Sequence, residues 1–274
     1  MQEPELWITQ PVRQKASRRF LRHWTLRNQG DRLKSTKSAR PHCDRLWKNG
    51  EYRRDVSAYL STMKKSIVFS DFDGTITLHD TFVDLLKKFS TPGLADDLMA
   101  QMYAQTLTLR AGVTQLLESI PSDQYSNIIE FSKTHPIRSG FPEFLDFLES
   151  RNVPCVVISG GIRIMVETVL NEFKPRLAGL HAVDLDSSGD YFKVIAADAG
   201  DTELVAKVNI MANYKFDQSI AIGDSITDFK MAMAADLVFA RDRLAKYLDE
   251  QGKLYIPWND FFEIRDYLEQ HWSE

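Results

Sequence analysis

Apolar positions fall along this chain in two rhythms. Short unbroken runs, at Ile67-Val-Phe69, Val153 to Ile158, Ser219 to Ile222 and Leu237 to Ala240, are rich in β-branched and aromatic side chains and bounded by polar residues. Such runs predict strands buried on both faces, as in the interior of a parallel sheet. Between them the spacing becomes helical. Phe82, Leu85, Leu86 and Phe89 share one helix face, with Asp80 placed to cap it. Helical patterns then cover about Leu94 to Gln105, Arg110 to Ser119 and Ser122 to Lys133, punctuated by Pro92, Pro121 and Pro136. A helix near Phe141, carrying Phe144, Leu145 and Leu148, precedes the second strand, which Ser159-Gly160-Gly161 is expected to end. Further helices are expected from about Ile164, over Val205 to Asn213, Leu244 to Glu250 and Asp260 to Gln270. Ala182 to Asp186 and Tyr191 to Ala196, joined by Ser187-Ser-Gly-Asp190, read as a β-hairpin.

Strands alternating with helices predict an α/β fold with a Rossmann-like parallel sheet core. A crossover between parallel strands needs only about a dozen residues. The four helices that follow the first strand, ahead of the one near Phe141, far exceed that, so residues 80–135 are assigned to a small inserted helical domain, and 63–79 with 136–274 to the core.

Charge sets the start of the chain apart. The first 62 residues carry 14 Lys or Arg against 6 Asp or Glu, and the remaining 212 carry 20 against 32, which hides inside a net charge of −4. That first stretch holds Arg18, Arg19, Arg22 and Arg27 among scattered tryptophans but no sustained periodicity. Basic arms can touch nucleic acid or membrane surfaces. Without a core-forming pattern, residues 1–62 read instead as a basic N-terminal extension, disordered or not part of the domain. A domain start at Met63 follows.

Apolar residues make up 43% of the chain, and no run approaches the roughly 20 needed to span a bilayer. Cys43 and Cys155 stand in unrelated contexts, so no disulfide framework is expected and a reducing cytoplasm suits the chain.

Three strand ends carry polar groups. The first runs into Asp71-Phe-Asp-Gly-Thr75, the second into Ser159-Gly-Gly161 and the third into Gly223-Asp-Ser-Ile-Thr-Asp228. Parallel strands place these ends on one edge of the sheet, where α/β folds bind ligands. Asp71 and Asp73 repel each other unless a cation or proton intervenes, and Asp224 with Asp228 adds oxygen donors suited to Mg²⁺. Ser159 and Gly160 offer a hydroxyl and accessible N–H groups of the kind that hold phosphate.

In these motifs the sequence resembles the haloacid dehalogenase superfamily of phosphohydrolases, over about Lys65 to Gln270. The resemblance implies a Mg²⁺-dependent phosphatase in which Asp71 is the nucleophile, forming an aspartyl-phosphate, and Asp73 protonates the leaving group. Mg²⁺ would be held by Asp71, the Asp73 carbonyl and Asp224, with Asp228 in support, while Thr75, Ser159, Gly160 and a lysine bind phosphate. Lys207, at the start of the helix before the third strand, is the candidate lysine, because Lys193 belongs to the hairpin and Lys215 comes too late. The insert resembles the cap of the phosphoserine phosphatase-like branch, with His79, Asp80 and Arg110 as candidate substrate contacts. Within that branch, Phe239-Ala-Arg-Asp242 and Asp260-Phe-Phe-Glu-Ile-Arg265 resemble the methionine-salvage phosphatases. Phosphoserine phosphatase is the alternative, set back by Ala111-Gly112 near the position where that family has a cap arginine. A binding or regulatory protein without turnover is the alternative of another class, against which two intact carboxylates argue. The implied partner is a small phosphorylated metabolite, with neither membrane nor nucleic acid expected. Oligomeric state has no signature in the pattern.

Overall fold

The computed structural model describes residues 65–272, so the extension assigned to residues 1–62 lies outside the described residues. In chain order the strands are β1 (Ser66–Ser70), β2 (Cys155–Ile162), β3 (Gly179–Asp186), β4 (Lys193–Ile195), β5 (Gln218–Gly223), β6 (Leu237–Ala240) and β7 (Ile256–Pro257). They form one sheet in the order β4-β3-β2-β1-β5-β6-β7, parallel throughout except for the β3–β4 pair. β1 is therefore central, which is why Ile67, Val68 and Phe69 are all buried and the apolar run does not alternate. Its neighbours β2 and β5 bring their carboxyl ends to the same edge.

Two strands depart from the expected pattern. β2 does not stop at Ile158 but continues through Ser159, Gly160 and Gly161 to Ile162, with a register shift against β3 between Ile158 and Ile162. β3 is more than half of a hairpin: it pairs in parallel with β2 and then antiparallel with β4. The short β7 gave no pattern of its own.

The segment between β1 and β2 holds α1 (Thr81–Phe89), α2 (Leu94–Tyr103), α3 (Leu109–Glu118) and α4 (Tyr125–Ser132). Asp80 caps α1 by accepting from the Val83 N–H at 3.0 Å. A 3₁₀ turn at Ser122–Gln124 precedes α4, so the single helix expected there is two pieces. The way in and the way out of this helical insert run side by side: Thr77 and Ile137 form an antiparallel bridge, Leu78 N–H donates to Pro136 O, and Arg138 N–H donates to Ile76 O at 2.7 Å. The insert is also stitched to the β3–β4 hairpin, through a Pro121–Tyr191 bridge and the Ser122 and Phe192 amides.

The remaining helices are α5 (Phe141–Ser150), α6 (Arg163–Val169), α7 (Lys207–Met211), α8 (Phe229–Ala234), α9 (Asp242–Gln251) and α10 (Phe261–Trp272). α5 and α10 pack through Phe141, Phe144 and Phe261, all fully buried, with ring centroids 5.1 and 5.3 Å apart. Each such ring contributes on the order of 2 kcal/mol by leaving water. Among the described residues no helix is long and apolar enough to cross a membrane. Cys155 is buried inside β2, where burial pushes its thiol up to about 12 and leaves it unreactive.

Candidate active site

The strand ends converge as their order requires. Asp71 follows β1 directly, and its N–H continues the ladder to Ile222 O on β5 at 2.9 Å. The Lys207 ammonium, at the first residue of α7, donates to Asp71 Oδ1 and to Asp228 Oδ1, the latter at 2.6 Å. All three side chains are buried. Asp228 is fully committed, because its other oxygen accepts from the N–H groups of Asp224 (3.1 Å) and Ser225 (3.0 Å). It braces both the lysine and the turn that carries Asp224. Gly223 lies so close to this brace that a Cβ there would fall 2.7 Å from the Asp228 carboxyl carbon.

Asp73 is held from two sides. Thr81 Oγ1 and the Phe82 N–H (3.1 Å), both at the start of α1, donate to its Oδ1, and Ser159 Oγ from β2 donates to its Oδ2 at 3.1 Å. Ser159 Oγ in turn accepts from the Gly161 N–H at 2.9 Å, which the extension of β2 makes possible. Gly74 has φ of +76°, and a Cβ would meet Asp224 at 2.5 Å. Only glycine suits that turn. Beside it, Thr75 Oγ1 donates to Asp224 Oδ1 at 3.2 Å.

Electrostatics follow from crowding four acids around one ammonium. Burial, the Asp228 charge and only partial relief from Lys207 raise Asp71 to about 6. Burial, Asp80 and Asp71 raise Asp73 to about 8, against the opposing hydrogen bonds from Thr81 and Ser159. Burial, Asp71 and Asp228 raise Asp224 to about 9. Burial alone would lower Lys207, but its two carboxylate partners more than offset this and raise it, so it remains an ammonium. Carboxyl groups of Asp71, Asp224 and Asp228 offer oxygens all within 4.8 Å of one another. An all-oxygen donor set under mutual repulsion suits a hard divalent cation such as Mg²⁺. Because Asp228 is occupied by Lys207 and two amides, Asp71 and Asp224 are the side chains left to ligate.

Of the residues expected from sequence, Asp71, Thr75, Lys207, Asp224 and Asp228 form one hydrogen-bonded network and Asp73 with Ser159 a second, the two coupled through the neighbouring charges of Asp71 and Asp73, and Gly160 borders open space. The substrate contacts expected in the insert behave differently. Asp80 is a helix cap, and His79 contributes its carbonyl, which accepts from Gly74 N–H at 3.0 Å and Thr77 Oγ1 at 2.8 Å. Arg110 turns to the core, donating from Nη1 to Gly200 O at 3.0 Å while its own N–H meets Thr202 O. Sequence reasoning missed Thr81 and the Phe82 amide. The signal was present: a hydroxyl beside an N-cap, eight residues after Asp73, at the start of a helix whose N–H groups favour an anion.

The model of the haloacid dehalogenase-like hydrolase family matches residues 68–233. A protein of Microcystis aeruginosa strain NIES-843 called 2-hydroxy-3-keto-5-methylthiopentenyl-1-phosphate phosphatase is 52% identical over 204 residues, 74% of this chain and 97% of its own length. One of the same name from Bacillus mycoides is 35% identical over 205 residues, covering 72% and 93%. Among solved structures, a phosphoserine phosphatase with a phospho-aspartyl intermediate analogue overlays with a TM-score of 0.55 at 20% identity, over 74% of this chain and 99% of that one. That last likeness concerns the fold.

Proposed function

The chain belongs to the haloacid dehalogenase-like hydrolase family and is a phosphatase, and from that premise we propose that it hydrolyses 2-hydroxy-3-keto-5-methylthiopentenyl 1-phosphate in methionine salvage, through an aspartyl-phosphate formed on Asp71. The observation that carries the mechanism is that two carboxylates one residue apart have different partners. Asp71 is bonded to an ammonium, which keeps an oxygen ionised for attack, whereas Asp73 is bonded to hydroxyls and an amide and is raised to about 8. Two acids driven apart in this way divide the labour of nucleophile and proton donor.

Asp71 attacks phosphorus and the bond to the substrate oxygen breaks, with Asp73 delivering a proton to that oxygen. Asp73, now a carboxylate, then takes a proton from the water that opens the aspartyl-phosphate, and returns to its starting state. Lys207 and the Ser159 hydroxyl stand beside these carboxyls and spread the charge of the transferring phosphoryl group. Mg²⁺ would be held by Asp71 and Asp224, with the Asp73 carbonyl, and would supply the charge that offsets repulsion between carboxylate and phosphate. The insert over residues 80–135 serves as the cap, and Thr81 makes it part of the site.

The substrate reading rests on the relatives' shared name and on what Arg110 does. It is engaged with the Gly200 carbonyl, which supports an apolar methylthio substrate over one whose carboxylate needs a cap arginine. Steady-state assays with Mg²⁺ on the methylthiopentenyl phosphate and on phosphoserine test this. A higher kcat/KM for phosphoserine would transfer the assignment to that substrate.

A further inference from the structure

Arg138 lies at the root of the insert, 6% exposed, and its guanidinium is surrounded by carbonyls. Nε donates to Thr75 O at 2.7 Å. Nη2 donates to Gly74 O at 2.6 Å and Thr77 O at 3.1 Å, and Nη1 donates to Asn259 O at 3.2 Å. One face of the guanidinium lies over Trp258, 5.3 Å from the ring centroid. Among the described residues no carboxylate forms an ion pair with it; a buried cation so placed is expensive, and carbonyl groups satisfy it only where the backbone is shaped to converge on it. Here that backbone is the turn Gly74–Thr77, between the end of β1, which Asp71 follows, and the helix bearing Thr81.

The placement couples the two sides that hold Asp73. Its carboxylate takes two hydrogen bonds from α1, beyond the turn, and one from Ser159 in the core. The turn itself is closed by the Gly74 N–H on His79 O and on Thr77 Oγ1, both at 3.0 Å. Arg138 belongs to the exit strand of the insert, pairs through its own N–H with Ile76 O, and reaches across the entry strand to the core loop at Asn259. A planar fork with five N–H groups can do this. An ammonium on a flexible stem cannot.

We propose that Arg138 is a positioning residue for Asp73: it locks the Gly74–Thr77 turn so that α1 and β2 present their donors to that carboxylate together. This rests on Asp73 as the proton donor. Loss of the lock therefore lowers rate where a proton must reach the leaving oxygen, and spares substrates whose leaving group departs unprotonated.

The test compares Arg138→Gln, Arg138→Lys and Asp73→Asn with the wild type on p-nitrophenyl phosphate and on an alkyl phosphate. Both Arg138 variants should lose about tenfold more kcat on the alkyl ester than on the nitrophenyl ester, in the same direction as Asp73→Asn. Arg138→Lys should not restore it. Partial unfolding would depress both substrates equally, so an equal loss in the Arg138 variants beside a selective loss in Asp73→Asn overturns this inference alone. Full rescue by lysine overturns it too, by reducing the role to charge. An equal loss in Asp73→Asn removes the proton-donor reading and this inference with it. If neither Arg138 variant folds, hydrogen exchange of the wild type decides: the Gly74 and Thr77 amides should be protected like those of β1, and exchange at the rate of exposed loops overturns the lock.

Discussion

Raising the pH from 5 to 8 in the presence of a chelator should weaken this protein, and Mg²⁺ should reverse the loss. Asp71, Asp73 and Asp224 hold protons in the folded state to about 6, 8 and 9, against 3.8 in the unfolded chain. A carboxyl whose folded value is raised contributes stability that is fully present below the unfolded value and is lost as pH rises through the folded one. The window thus opens near pH 4 and closes near 6 for Asp71, 8 for Asp73 and 9 for Asp224. Each retained proton gives a slope of about 1.4 kcal/mol per pH unit. Even one group that keeps its proton throughout accounts for about 4 kcal/mol over three units, a large share of the ~5–15 kcal/mol that holds a domain folded. Mg²⁺ competes with those protons, so its stabilisation should be larger at pH 8 than at pH 5. Urea unfolding at both pH values, with chelator and with Mg²⁺, measures all four numbers. Asp224→Asn, which has no proton to lose, should flatten the metal-free slope by roughly one proton's share. Metal-free stability that is flat or rises with pH, or a Mg²⁺ increment equal at both pH values, would refute the reasoning.

Asp71→Asn should abolish turnover on every phosphate ester while leaving circular dichroism unchanged, since the amide keeps the shape but cannot attack phosphorus. Lys207→Met leaves two buried carboxylates without their ammonium and should cost about 3–5 kcal/mol in urea unfolding near neutral pH. Arg110→Ala removes one exposed hydrogen bond to Gly200 and should lower kcat/KM for the methylthiopentenyl phosphate less than about tenfold, a loss worth ~1 kcal/mol. Deletion of residues 1–62 should leave kcat/KM and the melting temperature unchanged, because no core-forming pattern lies there; a fall of several degrees would show that the arm packs on the domain.

The central strands were legible because a strand buried on both faces must be written as an unbroken apolar run, as Ile67 to Phe69 and Ile220 to Ile222 are. The cluster of acids at the strand ends was legible for a related reason. In a parallel sheet the acids that follow β1 and β5 have one edge to occupy, whereas Lys207 is singled out only because the family resemblance asks for a lysine and Lys193 and Lys215 stand in less suitable places. Arg138 was not legible, since its partners are carbonyl oxygens, which every residue has, so no side-chain pattern accompanies it. The continuation of β2 was hidden for the opposite reason: Ser159-Gly160-Gly161 reads as a turn by composition, yet tertiary pairing holds it extended and so aims Ser159 at Asp73.

The expected division into core and insert also hid how the two are joined. Assigning residues 136–274 to the core gives the insert one connection, the paired strands at Thr77 and Ile137. The structure adds others, among them the bridge from Pro121 to Tyr191 on the hairpin, Glu118 on Lys193 and Val194, Arg110 on the loop at Gly200 to Thr202, Thr81 and Phe82 on Asp73, and Arg243 Nη1 reaching the Tyr103 hydroxyl at 3.4 Å. The hairpin link combines backbone hydrogen bonds with the Glu118 carboxylate on Lys193 and the Val194 N–H, whereas Tyr103 is held by one long hydrogen bond and the guanidinium of Arg243 over its ring, between exposed side chains, so any opening should begin at Tyr103 and pivot near the hairpin. Such a motion would move the start of α1 relative to β2. Those are the two elements whose donors meet on Asp73, so opening the insert and releasing the proton donor from its proposed working position are one event.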